Sequence, residues 1–173
     1  MKKIDIAADR DIIKKLKAGT ELLISGTIYT VRDQAHRRLQ DTLKAGKRPP
    51  INLKNAAIYY CGPTKTPAGK IIGSCGPTTS SRMDEFTPAL LEAGLRIMIG
   101  KGIRSKEVIR AVKKYRAVYF LTFAGCGALL AKHVKRKKTM AYKELGPEAI
   151  CALEVEDFPV IVGIDAKGRS IYG

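Results

Sequence analysis

Four side chains in this 173-residue chain pair a charge or a hydroxyl with a position where an α/β protein can use it: Arg32, Thr78, Arg82 and Lys101. Arg32 follows a β-branched and aromatic run, Thr78 and Arg82 flank the start of a helical pattern, and Lys101 follows an apolar run. Strand and helix ends are where such folds build their sites. A guanidinium offers a planar fork that meets a carboxylate at two points, an ammonium offers a point charge, and a helix start adds N–H donors with partial positive charge. Together they suit a small dicarboxylate. Asp33 and Asp84 suit supporting work. Asp33 is placed to cap its helix or brace Arg32, and Asp84 to brace Arg82 or Lys101. His36 is expected to hold the junction after Arg32 by hydrogen bonding rather than to face the site, and His133 to lie at the surface. GPTT alone is a common turn-plus-cap string, so residue types by themselves leave a purely structural role open.

The elements that must position these residues follow an α/β rhythm. Residues 9–18 have helical apolar spacing, with Asp9 as a cap and Gly19 as a stop. Residues 21–31 read as two strands around Ser25-Gly26 or as one strand with a bend, and 33–45 as a helix ended by Gly46. Strands are expected at 56–63 and 70–75, each closed by Gly-Pro, with the two turns forming paired strand ends. After TTSS, the spacing of Phe86, Leu90 and Leu91 predicts an amphipathic helix whose entrance presents free backbone N–H groups. Strand 95–100, helix 105–115, strand 117–123, a helix over 124–133 and closing strands at 149–155 and 160–164 complete the alternation, with a turn at 165–168. No internal repeat or low-complexity tract breaks it.

Composition narrows the class without naming it. The length and the 45% hydrophobic fraction suit one folded unit over residues 1–173. The opening MKKIDIAADR is charged, with no apolar stretch behind it, so neither a signal peptide nor a membrane span is expected and the cytoplasm is the expected compartment. Cys61, Cys75, Cys126 and Cys151 are too scattered for a CxxC metal site and are expected to be reduced thiols. A formal charge of +16 would serve nucleic acid, an acidic partner subunit or an anionic substrate. The excess is spread over short groups, Lys14-Lys15-Lys17, Arg37-Arg38, Lys113-Lys114 and Lys135–Lys138, read mostly as solvated faces beside helical patterns. A nucleic-acid module is the reading from a different class. Only 6% aromatic residues and the lack of an RNP, KH or zinc-finger pattern argue against it.

Four strings taken together go further: RDQAHRRL at 32–39, IYYCGPT at 58–64, GSCGPTTSSRMDEFTPALLEAG at 73–94 and IGKG at 99–102. They resemble the β subunit, or C-terminal domain, of the class I iron–sulfur fumarases and their relatives the L-tartrate dehydratases, over roughly Gly26 to Asp165. The resemblance implies a swivelling β/β/α-type α/β domain and a partner α subunit that carries a four-iron–four-sulfur cluster on its own cysteines. None of the cluster's ligands is implied on this chain. It further implies a C4 dicarboxylate substrate, an active site shared between the chains and an α₂β₂ assembly. Motif by motif, it makes Arg32 and Arg82 the carboxylate clamps, places Thr78 at the carbon that loses a proton, and brings Lys101 to the same site. Fumarate hydration to L-malate is the expected reaction, with L-tartrate dehydration as the alternative. This chain has Ser80-Ser81 where many relatives have Ala-Gly, and its span from Arg82 to Lys101 is a residue shorter than in some fused fumarases, which makes Lys101 the least secure transfer.

Overall fold

A computed structural model describes residues 1–173, seven strands and five helices gathered around one twisted sheet. The strands are β1 (Lys2–Asp5), β2 (Glu21–Thr30), β3 (Ala57–Tyr59), β4 (Ile97–Gly100), β5 (Val118–Leu121), β6 (Val134–Ala141) and β7 (Ile150–Ile164). The helices are α1 (Arg10–Ile13), α2 (Asp33–Lys44), α3 (Thr87–Glu92), α4 (Lys106–Tyr115) and α5 (Gly127–Ala131). Neighbours run β1-β2-β3-β4-β5-β7-β6, and β2 also pairs along its length with β7, which closes β2, β3, β4, β5 and β7 into a five-stranded barrel. The class is α/β, as the alternation predicts. β1 to β5 are mutually parallel and β7 returns antiparallel.

β3, β4 and β5 are buried on both faces, which is why they read as unbroken apolar runs. Tyr59, Ile97, Ile99, Val118 and Phe120 fill the barrel. Their alternates Ile58, Tyr60, Met98 and Tyr119 pack under the helical layer with Leu39, Leu90 and Val112 of α2, α3 and α4. The parallel strands therefore all end at one edge, and the chain leaves each of them for a helix or loop that can carry chemistry.

Several expected elements change. The segment 21–31 is one strand, bent at the register shift between Ile24 and Gly26, where Gly26 takes φ 127° and Asp157 of the facing β7 stretch is also at positive φ. The two closing strands are likewise one, because Asp157 turns the chain without leaving the ladder and donates its N–H to Ser25 Oγ at 3.0 Å. Residues 70–75 form no strand: Thr64 and Ser74 close the loop on each other, N–H to carbonyl at 2.9 Å, and Gly73 has no room for a Cβ beside the Thr64 carbonyl. The Gly-Pro turns are accordingly not paired strand ends, since proline has no N–H to give a ladder. The basic run Lys135–Lys138 lies in β6, an exposed edge strand, not beside a helix. Lysine is a poor strand former, but β7 offers an open edge, and pairing with it outweighs propensity while the charges keep that edge from stacking on another chain. The helices over 9–18 and 124–133 shorten to α1 and α5.

Candidate active site

Arg32 lies two residues beyond β2 and is the cap residue of α2, and its carbonyl is held by His36. The His36 N–H and its ring Nδ1 both meet the Arg32 carbonyl, at 2.8 and 2.9 Å. A carbonyl only accepts, so Nδ1 carries the ring proton and Nε2 the lone pair. His36 thus sits fully buried as the junction's brace. Neither its Nε2 nor the hydroxyl of neighbouring Tyr60 finds a partner within the chain. Burial drives the His36 pKa down to about 4.

That shift has a testable sign. Between about pH 6.5 and 4 the unfolded chain binds a proton that folded His36 refuses, so the stabilisation is complete above 6.5 and is lost as pH falls towards 4. The loss is on the order of 3 kcal/mol over the window. Urea unfolding of the wild type and His36→Gln at pH 7 and 4.5 should show the gap between them change by most of that amount. Carboxylates common to both cancel. A gap independent of pH would show that His36 does not titrate this way.

The Arg32 side chain extends over Gly62, where a Cβ would fall 2.7 Å from its Cδ. Asp33, the first residue of α2, joins it to Arg82: Arg82 Nε donates to Asp33 Oδ1 at 2.9 Å, and Arg32 Nε lies 3.6 Å from Oδ2. Arg82 is 54% exposed, so the pair contributes at most about 1 kcal/mol to folding. Its consequence is geometric. One carboxylate stands by two guanidiniums, hydrogen-bonded to Arg82 Nε and only ion-paired with Arg32, whose Nε and the facing Asp33 Oδ2 make no hydrogen bond; the Nη tips of both arginines make none within the chain either.

Thr78 and Lys101 arrive from the other side. Thr78 follows the second Gly-Pro and donates its N–H to the Tyr60 carbonyl at 2.6 Å. Thr79 then pairs with Lys101, at the end of β4, as an isolated parallel bridge, and Ser80 donates its N–H to the Lys101 carbonyl at 3.0 Å. The helix entrance is therefore not a row of free N–H groups, since those of Thr78 and Ser80 are spent on carbonyls. The long amphipathic helix is divided into a 3-10 turn, Ser80–Met83, and α3, because Pro88 starts a new first turn. The Thr78 hydroxyl and the Lys101 ammonium make no hydrogen bond or ion pair within the chain. The segment Thr78–Arg82 is what unites the two pairs.

Asp84 departs from its expected role. It accepts from Arg104 Nε at 2.6 Å and from the Ser105 N–H at 2.7 Å, and braces neither Arg82 nor Lys101. Arg104 is buried between the rings of Tyr60 and Tyr119, 5.2 and 4.9 Å from their centroids, and also donates to Thr87 Oγ1 at 2.8 Å. Burial opposes its charge, but the tyrosines and Asp84 more than offset this and raise its pKa. Residue types alone passed over Arg104. The signal was available in an arginine just before the Ser105 cap and a tyrosine inside the apolar strand VYFL, both of which need partners when buried.

The cysteines offer no ligand set. Cys61, Cys75 and Cys151 are buried in the barrel, burial pushes the thiols of Cys61 and Cys75 up, the latter to about 11, and no three His, Cys, Asp or Glu side chains converge to hold a metal ion. An iron–sulfur cluster does not fit this chain's own side chains. No helix is long and apolar enough to cross a membrane.

The chain is an α/β barrel that brings Arg32 and Arg82 to one aspartate, with Thr78 and Lys101 at neighbouring strand ends. The chain belongs to the family described as Fumarase C-terminus, whose profile matches residues 1–173. It is 42% identical over 162 residues to the anaerobic class I fumarate hydratase of Escherichia coli (strain K12), covering 92% of this chain and 30% of that protein. It is 39% identical over 165 residues to fumarate hydratase 2 of Leishmania major, covering 94% of this chain and 29% of that one. It is 33% identical over 165 residues to the L(+)-tartrate dehydratase subunit beta of Escherichia coli (strain K12), covering 92% of this chain and 80% of that subunit. The chain thus spans about 30% of the length of the fumarate hydratases it matches.

Proposed function

We propose that this chain is the β subunit of an iron–sulfur-dependent hydro-lyase that interconverts fumarate and L-malate, and that it supplies the carboxylate-binding and proton-abstraction half of a site completed by an α subunit. The observation that carries the proposal is the pair of guanidiniums at Asp33, Arg82 hydrogen-bonded to it by Nε and Arg32 ion-paired at 3.6 Å, with their Nη forks uncommitted. Two such forks, with the Lys101 ammonium, match the charge of a C4 dicarboxylate. The reading is supported by relatives named as fumarate hydratases and as the β subunit of a tartrate dehydratase.

In this proposal Arg32 and Arg82 hold the carboxylates, and the cations beside the reacting carbon stabilise the aci-carboxylate formed as that carbon loses its proton. Thr78 offers the uncommitted hydroxyl at that point. A free hydroxyl is too weak a base, so Thr78 acts either as an alkoxide favoured by the cationic pocket or by positioning the base. The cluster belongs to the α chain, and the expected assembly is α₂β₂. L-tartrate is the second candidate substrate, supported by 33% identity over 80% of a protein named as a tartrate dehydratase β subunit.

Co-expression with a candidate α subunit, followed by anaerobic assay on fumarate, malate and both tartrates, tests the proposal. Turnover of fumarate and malate by the pair, and of none by this chain alone, is the expected result. A reconstituted pair inactive on all four substrates would end the hydro-lyase reading.

A further inference from the structure

The Ser80 side chain is fully buried between the strand ends, and its surroundings account for every proton there. Tyr119 Oη lies 2.9 Å from the Gly102 carbonyl and 2.8 Å from Ser80 Oγ. The carbonyl accepts the tyrosine's only proton, so the serine proton goes to Tyr119 Oη and a serine lone pair faces the Lys101 N–H, 3.0 Å away. Ser80 also donates its own N–H to the Lys101 carbonyl. Both backbone polar groups of Lys101 are thereby held by one residue, and the next carbonyl, that of Gly102, is held by Tyr119. Gly100 makes the approach possible: a Cβ there would stand 2.0 Å from Ser80 Oγ.

We propose that Ser80, anchored by Tyr119, is a positioning residue that locks the Lys101 backbone against Thr78-Thr79 and so fixes where the lysine ammonium stands relative to the threonine hydroxyl. The proposal rests on the hydro-lyase reading for its catalytic consequence and on hydrogen bonding alone for the lock itself. The Ser80 hydroxyl contacts neither substrate-facing guanidinium. It acts through Lys101, and a loosened support shell lowers the population of productive geometry rather than substrate binding.

Two measurements on Ser80→Ala test it. In the full chain alone, backbone amide hydrogen exchange at Lys101 is expected to accelerate at least tenfold while the β5 amides of Val118 and Phe120 keep their rates. In the reconstituted complex, kcat is expected to fall about ten- to a hundredfold with KM within about twofold, because the arginine forks are untouched. Tyr119→Phe keeps the Ser80 bond to Lys101 and removes only its anchor, so an intermediate acceleration at Lys101 is expected. It also provides the test if Ser80→Ala fails to fold. Unchanged Lys101 exchange in the folded variants overturns the lock. Loss through KM with kcat preserved overturns the positioning role. If the wild-type complex turns over none of the dicarboxylates, the functional reading has failed, and the exchange measurement alone decides the lock.

Discussion

Arg82→Ala is expected to lower turnover of the reconstituted complex by about a hundred- to a thousandfold, the scale seen when one preorganised donor is removed from developing charge. The substitution removes a fork that Asp33 holds by Nε with its Nη tips uncommitted, and it removes little else. Arg82 is 54% exposed, so its ion pair contributes little to folding and the variant should keep the wild-type melting temperature and assemble with the α subunit. Arg82→Lys is the informative partner. It returns the charge without the two-point geometry and should recover only part of the rate. Turnover within a few-fold of wild type in Arg82→Ala would remove this residue from the site.

Asp84→Ala should act in the opposite manner, through stability. Arg104 is completely enclosed, and Asp84 supplies its only carboxylate, at 2.6 Å. Removing one member of a buried ion pair strands the other, at a cost of about 3–5 kcal/mol. For a chain of this size that corresponds to a fall in melting temperature of about 6–20 °C. The Ser105 N–H loses its acceptor at the same time, so α4 begins less well held. The double variant Asp84→Ala with Arg104→Met should regain much of the loss, since it leaves no stranded charge beneath Tyr60 and Tyr119. A loss below about 1 kcal/mol in the single variant would show that the tyrosine faces and Thr87 satisfy Arg104 without Asp84.

These variants separate two uses of the same residue types. The Asp33–Arg82 pair is open to water and worth little to the fold, yet it aims a fork. The Asp84–Arg104 pair is buried beneath the Tyr60 and Tyr119 rings and hydrogen-bonds to none of Arg32, Thr78, Arg82 or Lys101. The 3-10 turn Ser80–Met83 lies between them, with Arg82 tied to α2, Ser80 to β4 and, one residue beyond it, Asp84 to the start of α4. A change in that turn therefore reaches both halves of the proposed site.

Local signals made much of this architecture legible. The apolar runs of β4 and β5 and the helix-forming stretches of α2 and α4 are properties of neighbouring residues, and those elements lie within the ranges expected at 95–100, 117–123, 33–45 and 105–115. Arg32, Thr78, Arg82 and Lys101 stand at element ends for the same reason. What stayed hidden depends on partners far along the chain. β6 exists because β7 presents an edge, Asp157 bends β7 without breaking it, and the loop around Ser74 is shaped by Thr64. Asp33 meets Arg82 across 49 residues, Asp84 meets Arg104 across 20, and Ser80 meets Tyr119 across 39. Residue type and spacing thus determined that Arg32, Thr78, Arg82 and Lys101 would stand at strand and helix ends. Only the closed sheet decided which acid holds which arginine, because a hydrogen bond is chosen by distance in space, and that distance is set by how the strands close.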